Sequence, residues 1–412
     1  MSDYHAGSFT SGYEEYWRKS QSGVDEAIRS YRIVLDTNAI LNLYRMNSHA
    51  RDEYLHVIET VASRIWIPRQ VADEFHRNRL SSVDVHIRAL KEKSGAVVEA
   101  SEALLASLRD FARLRSLASS ANAYLAPFSE SIRQIMQDVR ADVDDFDLSP
   151  EHLVSDDPIL RRLAVIFDNR VGSGIASDRR DEVKLEAERR GKEKIPPGYK
   201  DVNKKGEDGY GDYFIWREIL EYAQEVSDPI LFISTDVKED WVRMQCGLSV
   251  GPRPELVKEM RDVAGVSYSH ITLTAFLTRV PSVLNVRVSQ NTIDQVKHRS
   301  DVQRKMRKEF ERLSVQIREI DAGTASASHA LREAEHREMA AAMRLTNGAE
   351  ALAGMEESNP ERALLATELE YFRNARDEAV ATRQSALERL QMLSNEKAVI
   401  GREFSRIERE LE

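Results

Sequence analysis

Cysteine is almost missing from the 412 residues. Cys246 stands alone, so no disulfide can close within the chain and no zinc site can be built from several thiolates. No run of roughly 18 apolar residues occurs, which excludes a membrane-spanning helix by hydropathy. The opening segment, MSDYHAGSFTSGYEEYW, lacks the apolar centre of a secretory signal. Together these absences lead us to expect a cytoplasmic protein with no membrane partner. A surplus of positive charge is lacking too: 59 Lys and Arg stand against 69 Asp and Glu, a net charge of −10. That argues against broad electrostatic adhesion to nucleic acid or an anionic membrane, although a local basic groove is compatible with it.

What is present separates into zones at 1–30, 31–285 and 286–412. In the lead-in, Glu14, Glu15, Arg18 and Lys19 around Tyr16 and Trp17 suggest an amphipathic helix. The middle zone has an α/β pattern. YRIVLD (31–36) and ILFIST (230–235) are short apolar runs of the kind buried parallel strands need, and RIWIP (64–68) is another, stopped by proline. From Gln70 to about Arg115 there are few helix breakers. Residues 213–226 carry Ile215, Ile219 and Tyr222 at helical spacing. Strands alternating with helices predict a parallel sheet flanked by crossover helices. Between about 80 and 200 the chain is helical and polar and reads as an insertion. It closes on the loop GKEKIPPGYKDVNKKGEDGYG (191–211).

Beyond about 286, proline and tryptophan nearly vanish and Arg and Glu alternate. From Leu365 to Leu411, eleven of fourteen positions at alternating spacings of three and four are apolar, a sustained heptad seam. An earlier seam runs through Val302, Met306, Phe310, Leu313, Ile317 and Ile320. Gly323 and the Asn347-Gly348 pair are expected to break it. These helices could fold back as an antiparallel hairpin or pair with a second copy or another protein.

The chemistry is carried by carboxylates on separate segments. Asp36 ends the first strand, Glu74 lies in the helix after the second, Asp212 opens a helix, and Asp236 ends the late strand with Asp240 just beyond. Each has a plain reading as a cap, turn or surface residue. Jointly they fall near the carboxyl ends of parallel strands, where such sheets bind ligands. Carboxylates gathered in one cleft need a cation, and an all-oxygen set suits Mg²⁺ or Mn²⁺. One ion, or a pair, would support phosphodiester hydrolysis.

The ordered set VLDTN, IPRQVADEF, GDYFIW and LFISTD resembles the PIN domain, a metal-dependent nuclease fold. RIWIPRQVADEFHRNR, IPPGYKD and FISTDVKEDW are similar to its bacterial PIN-like subgroup with a large helical insertion. The resemblance spans roughly residues 10–280. It implies an acidic quartet of Asp36, Glu74, Asp212 and Asp236 binding Mg²⁺ or Mn²⁺, with Asn38 and Thr235 supporting it and Asp240 as a further outer ligand. It also implies a nucleic-acid substrate, RNA ahead of DNA, in RNA decay or in a toxin or phage-defence setting. Lys200, Lys204, Lys238 and Arg77 are the candidate phosphate contacts, with Lys205, Arg69, His76 and Arg79 nearby. A haloacid-dehalogenase-type phosphatase fits less well, because Asn38 stands where a second Asp is needed. A coiled-coil scaffold whose α/β domain only binds a partner is the main alternative, and the heptads imply a homo-oligomer or a protein partner in either case.

Overall fold

The structure, a computed structural model, describes residues 14–16, 20–114, 118–144, 146–200, 209–235, 238–246, 248–357 and 359–411. The chain divides into two compact units, Met1–Asp301 and Val302–Glu412.

Within the first unit the strands are β1 (Arg32–Leu35), β2 (Ile65–Trp66), β3 (Ile230–Ser234), β4 (Val242–Gln245), β5 (Leu248–Pro252) and β6 (Tyr268–Thr272). Four of them form a parallel sheet in the order β2-β1-β3-β6, while β4 and β5 make a separate antiparallel hairpin. Both central strands are covered on both faces. Ile33, Val34 and Leu35 of β1 and all of β3 are buried, so their sequences are unbroken apolar runs. No such apolar run marks β6, YSHIT. Its Ser269 and His270 are nevertheless buried, and His270 shares a 2.8 Å hydrogen bond with Ser234 of the neighbouring strand.

Helices supply the crossovers. They are α1 (Gln21–Ser30), α2 (Thr37–Leu41), α3 (Ser48–Val61), α4 (Arg69–Leu114), α5 (Ala118–Asp144), α6 (Pro150–Ser155), α7 (Pro158–Ile166), α8 (Arg180–Glu193), α9 (Gly211–Val226), α10 (Pro254–Ala264) and α11 (Leu273–Leu284). Among the described residues of the lead-in, Glu14–Tyr16 form a short 3-10 turn, and α1 begins where the Ser20 hydroxyl accepts the Gly23 N–H at 3.2 Å. Trp17, Arg18 and Lys19 lie outside the described residues. The insertion is built on α4, 46 residues without a break, packed against α5. It is tied back to the sheet domain by polar anchors. Arg51 grips Asp147 with two bonds of 2.6 and 2.8 Å, and Asp157 caps α7 while accepting the Tyr44 hydroxyl at 2.8 Å.

Two long helices follow, α12 (Gln290–Ala353) and α13 (Glu361–Leu411). Beyond Asp301 they pack antiparallel: Phe310 stacks on Phe404, Lys397 pairs with Asp321, and Arg383 with Glu338. Leu313, Ile320, Ala327, Ala334 and Ala341 are buried at heptad intervals, as are Ala379, Ala386, Leu393 and Ile407 opposite. The expected breaks at Gly323 and Asn347-Gly348 do not occur. A Cβ at Gly323 would meet Leu393 at 3.4 Å, and one at Gly348 would meet Leu369 at 2.5 Å, so these glycines admit leucines of the facing helix. The chain turns instead after Ala353.

Candidate active site

Strands β1 and β3 end side by side. Leu35 pairs with Ile233, and the Asp36 N–H donates to the Ile233 carbonyl at 2.9 Å. Asp36 occupies the N-cap position of α2, yet its side chain makes no capping bond. The carboxylate is therefore not used up in starting the helix, and its electrostatic neighbours are Lys238, Asp212 and Glu74.

Glu74 reaches the same edge from α4. One carboxylate oxygen accepts the Thr37 hydroxyl at 2.7 Å and the other accepts the Gln70 side-chain amide at 2.9 Å. Gln70 sits one helical turn earlier on the same face. The start of α4 is itself held from another helix: Glu218, buried on α9, accepts the backbone N–H groups of Arg69 and Gln70 at 2.5 and 3.1 Å. A carboxylate there satisfies orphan donors and faces the positive end of the helix. Burial still pushes Glu218 up to about 7, against those two donors.

Asp212 comes from the first turn of α9, whose N-cap is Tyr210 rather than Asp212. Two glycines make room for it. A Cβ on Gly211 would fall 2.7 Å from Glu74 Oε1. Gly198 has a left-handed φ of 85°, and a Cβ there would lie 3.3 Å from both the Asp212 Cβ and the Tyr213 nitrogen. The Gly198 N–H donates to Asp240 Oδ2 at 3.0 Å, and Asp240 is wholly buried. That places Asp240 beneath the loop that carries Gly198.

Lys238 brings its ammonium to 2.6 Å from Asp212 Oδ2. Burial pushes the Asp36 carboxyl up to about 7; Lys238 opposes the rise, while the charges of Asp212 and Glu74 add to it. Glu74 is also raised, first by burial, with the Gln70 and Thr37 bonds acting the other way. Asp36, Glu74 and Asp212 thus come from separate segments and feel one another's charge. Among the described residues, no three His, Cys, Asp or Glu side chains close on a common point as metal ligands. The donor chemistry nevertheless fits a hard cation: the groups are all oxygen donors, and one ammonium is already drawn to their edge.

The remaining candidates fall as follows. Asp236, Lys204 and Lys205 lie outside the described residues. Thr235 is buried, its hydroxyl has no hydrogen-bond partner among the described residues, and its carbonyl accepts the Ser300 hydroxyl at 3.0 Å. Asn38 is half-buried and its carbonyl accepts the Asn42 amide at 3.0 Å. Lys200 pairs with Glu239 at 2.8 Å, Arg69 with Asp73 at 2.9 Å, and Arg79 with buried Asp157 at 3.5 Å. Arg77 and His76 are exposed on α4. Trp216 and Trp241 are core residues in edge contact, and Trp66 stacks on Tyr222 at 4.1 Å.

Several residues of this edge carried no independent signal in the sequence. Thr37, directly after Asp36, and Gln70, four residues before Glu74, were recoverable from spacing alone. Glu218, Gly198 and Gly211 were not, because each acts on a residue distant in the chain.

The sheet domain is parallel and flanked by helices, with Asp36 at the carboxyl end of β1. The family described as "PIN like domain" matches residues 32–256, more than half of the 412, and the chain belongs to that family. PIN-like domains are typically nucleases, act on nucleic acid and generally use divalent metals. No curated protein and no solved structure shows significant similarity to the chain. No helix among the described residues is long and apolar enough to cross a membrane.

Proposed function

We propose that the chain is a cytoplasmic, divalent-metal-dependent nuclease that hydrolyses phosphodiester bonds, with RNA as the preferred substrate. What supports this reading is that Asp36, at the adjoining ends of β1 and β3, lies within electrostatic reach of Glu74 and Asp212 from two other segments. Mg²⁺ or Mn²⁺ would be held there by these residues and Asp236. Such an ion, when bound, supplies a polarised water and offsets charge on the phosphate.

The chain's own residues divide the remaining work. Thr37 and Gln70 fix both oxygens of Glu74, and a carboxylate held in this way would orient an attacking water. Asp240, through Gly198, fixes the backbone beside Asp212 and acts as a positioning residue. Lys238 neutralises Asp212 and stands where a phosphate oxygen would come within its reach. Lys200, Lys204 and Arg77 would hold the flanking backbone, while Asn38 and Thr235 steady the strand ends.

The deciding experiment is a cleavage assay on single-stranded RNA and DNA across a metal series. Wild type is expected to cut RNA with Mn²⁺ or Mg²⁺ and to stop in EDTA. Asp36→Asn is expected to lose at least about a hundredfold with unchanged circular dichroism, a loss on the scale of a removed electrostatic contact in a catalytic centre. Absence of cleavage of either polymer with every metal tried would sink the proposal.

A further inference from the structure

Several buried or half-buried arginines in the first unit are matched by acid. Arg51 is matched by Asp147, Arg190 by Glu259 and Arg279 by Asp25. Others, such as Arg64 and Arg170, are met by backbone carbonyls, and one further group brings two arginines and a histidine together. Arg45 ends the 3-10 turn Asn42–Arg45 that follows α2, Arg299 lies in the early turns of α12, and His86 lies on α4. All three are half-buried. Arg299 Nη2 lies 3.2 and 3.1 Å from the two ring nitrogens of His86, and it donates to the Arg45 carbonyl. Among the described residues no carboxylate pairs with any of the three.

The electrostatics agree with the geometry. Burial, then repulsion from Arg45, lowers Arg299 to about 9. Burial, then Arg299 and Arg45, lowers His86 to about 3, so its ring is neutral. Phe146 packs edge-on against that ring at 4.9 Å and fixes its plane. Two half-buried arginine charges that repel one another, with no carboxylate paired to either among the described residues, carry a desolvation cost that an anion would relieve. The group is also placed to serve the cleft. Ser300, next to Arg299, bonds the Thr235 carbonyl at the end of β3, and Arg45 lies on the segment that leaves Asp36. His86 is about 18 Å further along α4 than Glu74, from 1.5 Å per residue.

We propose that Arg45, Arg299 and His86 form a phosphate-binding subsite beside the acidic edge, which takes a backbone phosphate of the nucleic-acid strand away from the scissile bond. Paired guanidinium groups present forks that match phosphate oxygens, and a neutral imidazole can add one N–H. This subsite rests on the nuclease reading for the identity of its ligand, while the phosphate chemistry stands apart from it.

The test uses the full chain in EDTA, so that binding is read without cleavage. The probes are a short fluorescein-labelled single-stranded RNA, followed by anisotropy over a salt series, and inorganic pyrophosphate, followed by calorimetry. Arg299→Met and Arg45→Met are each expected to weaken RNA binding roughly tenfold and to reduce the salt slope by about one. Arg299→Lys, which keeps the charge, is expected to retain most of the affinity. Pyrophosphate is expected to compete with RNA and to raise the melting temperature of wild type but not of the double Met variant. If wild type binds no RNA yet pyrophosphate binding is lost in both Met variants, the subsite stands with a free phosphate compound as ligand, and the nucleic-acid reading is what fails. The proposal is overturned if the Met variants bind both probes like wild type. It is overturned equally if pyrophosphate leaves the wild-type melting temperature unchanged.

Discussion

A lysine placed against an acidic edge changes what a cation finds there. The Lys238 ammonium is 2.6 Å from Asp212 and also lowers the proton affinity of Asp36. A divalent ion arriving at these carboxylates meets an existing positive charge. Lys238→Met is therefore expected to tighten Mn²⁺ binding at pH 8 by at least about tenfold, a fraction of the roughly 4 kcal/mol between unit charges 4 Å apart in an effective dielectric near 20. Calorimetry on the full chain measures it; unchanged or weaker binding would show that the lysine does not oppose the ion. Gly211 makes a second demand at this scale. A methyl group at that position would sit 2.7 Å from Glu74 Oε1. Gly211→Ala is expected to keep the fold but cut cleavage at least tenfold by turning Glu74 off its Thr37 and Gln70 bonds. A variant with wild-type rate would mean that Glu74 orientation is immaterial.

Between elements, the contact that sets the site is Glu218 of α9 on the first N–H groups of α4. Its folded proton affinity is about 7, against an ordinary value of 4.5. Between those values the folded chain keeps a proton that the unfolded chain has released, so stability falls as pH rises through that window and levels off above it. The contribution is at most about 3 kcal/mol, from 1.36 kcal/mol per unit. Asp36, raised to about 7 from 3.8, acts with the same sign in metal-free buffer. Glu218→Gln keeps an acceptor for the helix start and removes the charge. Urea unfolding in EDTA at pH 5 and pH 8 should show a smaller loss of stability in the variant than in wild type. Equal pH dependence in both would place the titration elsewhere.

Across the whole molecule, the two units use glycine in opposite ways. Gly95, within α4, has open space where a Cβ would stand, whereas a Cβ at Gly348 would press on Leu369 of α13. Gly95→Ala is expected to stabilise by about 0.5–1 kcal/mol, the helix-propensity difference. Gly348→Leu is expected to destabilise the hairpin by about 1–3 kcal/mol, the usual effect of overpacking. Thermal melts followed by helical circular dichroism compare them; stabilisation by Gly348→Leu would mean that the facing helices do not need the close approach. The same hairpin bears on assembly. Heptad positions of the two helices are buried against one another within the same chain, Leu313 to Ala341 on one side and Ala379 to Ile407 on the other.

Local and periodic features were legible from the residue order: the buried strands around Ile33 and Ile230, the long α4, the heptads, and Asp36, Glu74 and Asp212 near strand and helix ends. These depend on hydrophobic pattern and short spacing, which act between near neighbours. Only the tertiary structure decided which distant groups meet. It added polar β6 to the sheet beside β3 with His270 on Ser234, kept α12 continuous through Gly323 and Gly348, buried Asp240 under Gly198, and set Lys238 on Asp212. Each of these is a contact whose free energy depends on a partner remote in the chain, and no local pattern encodes where that partner will be.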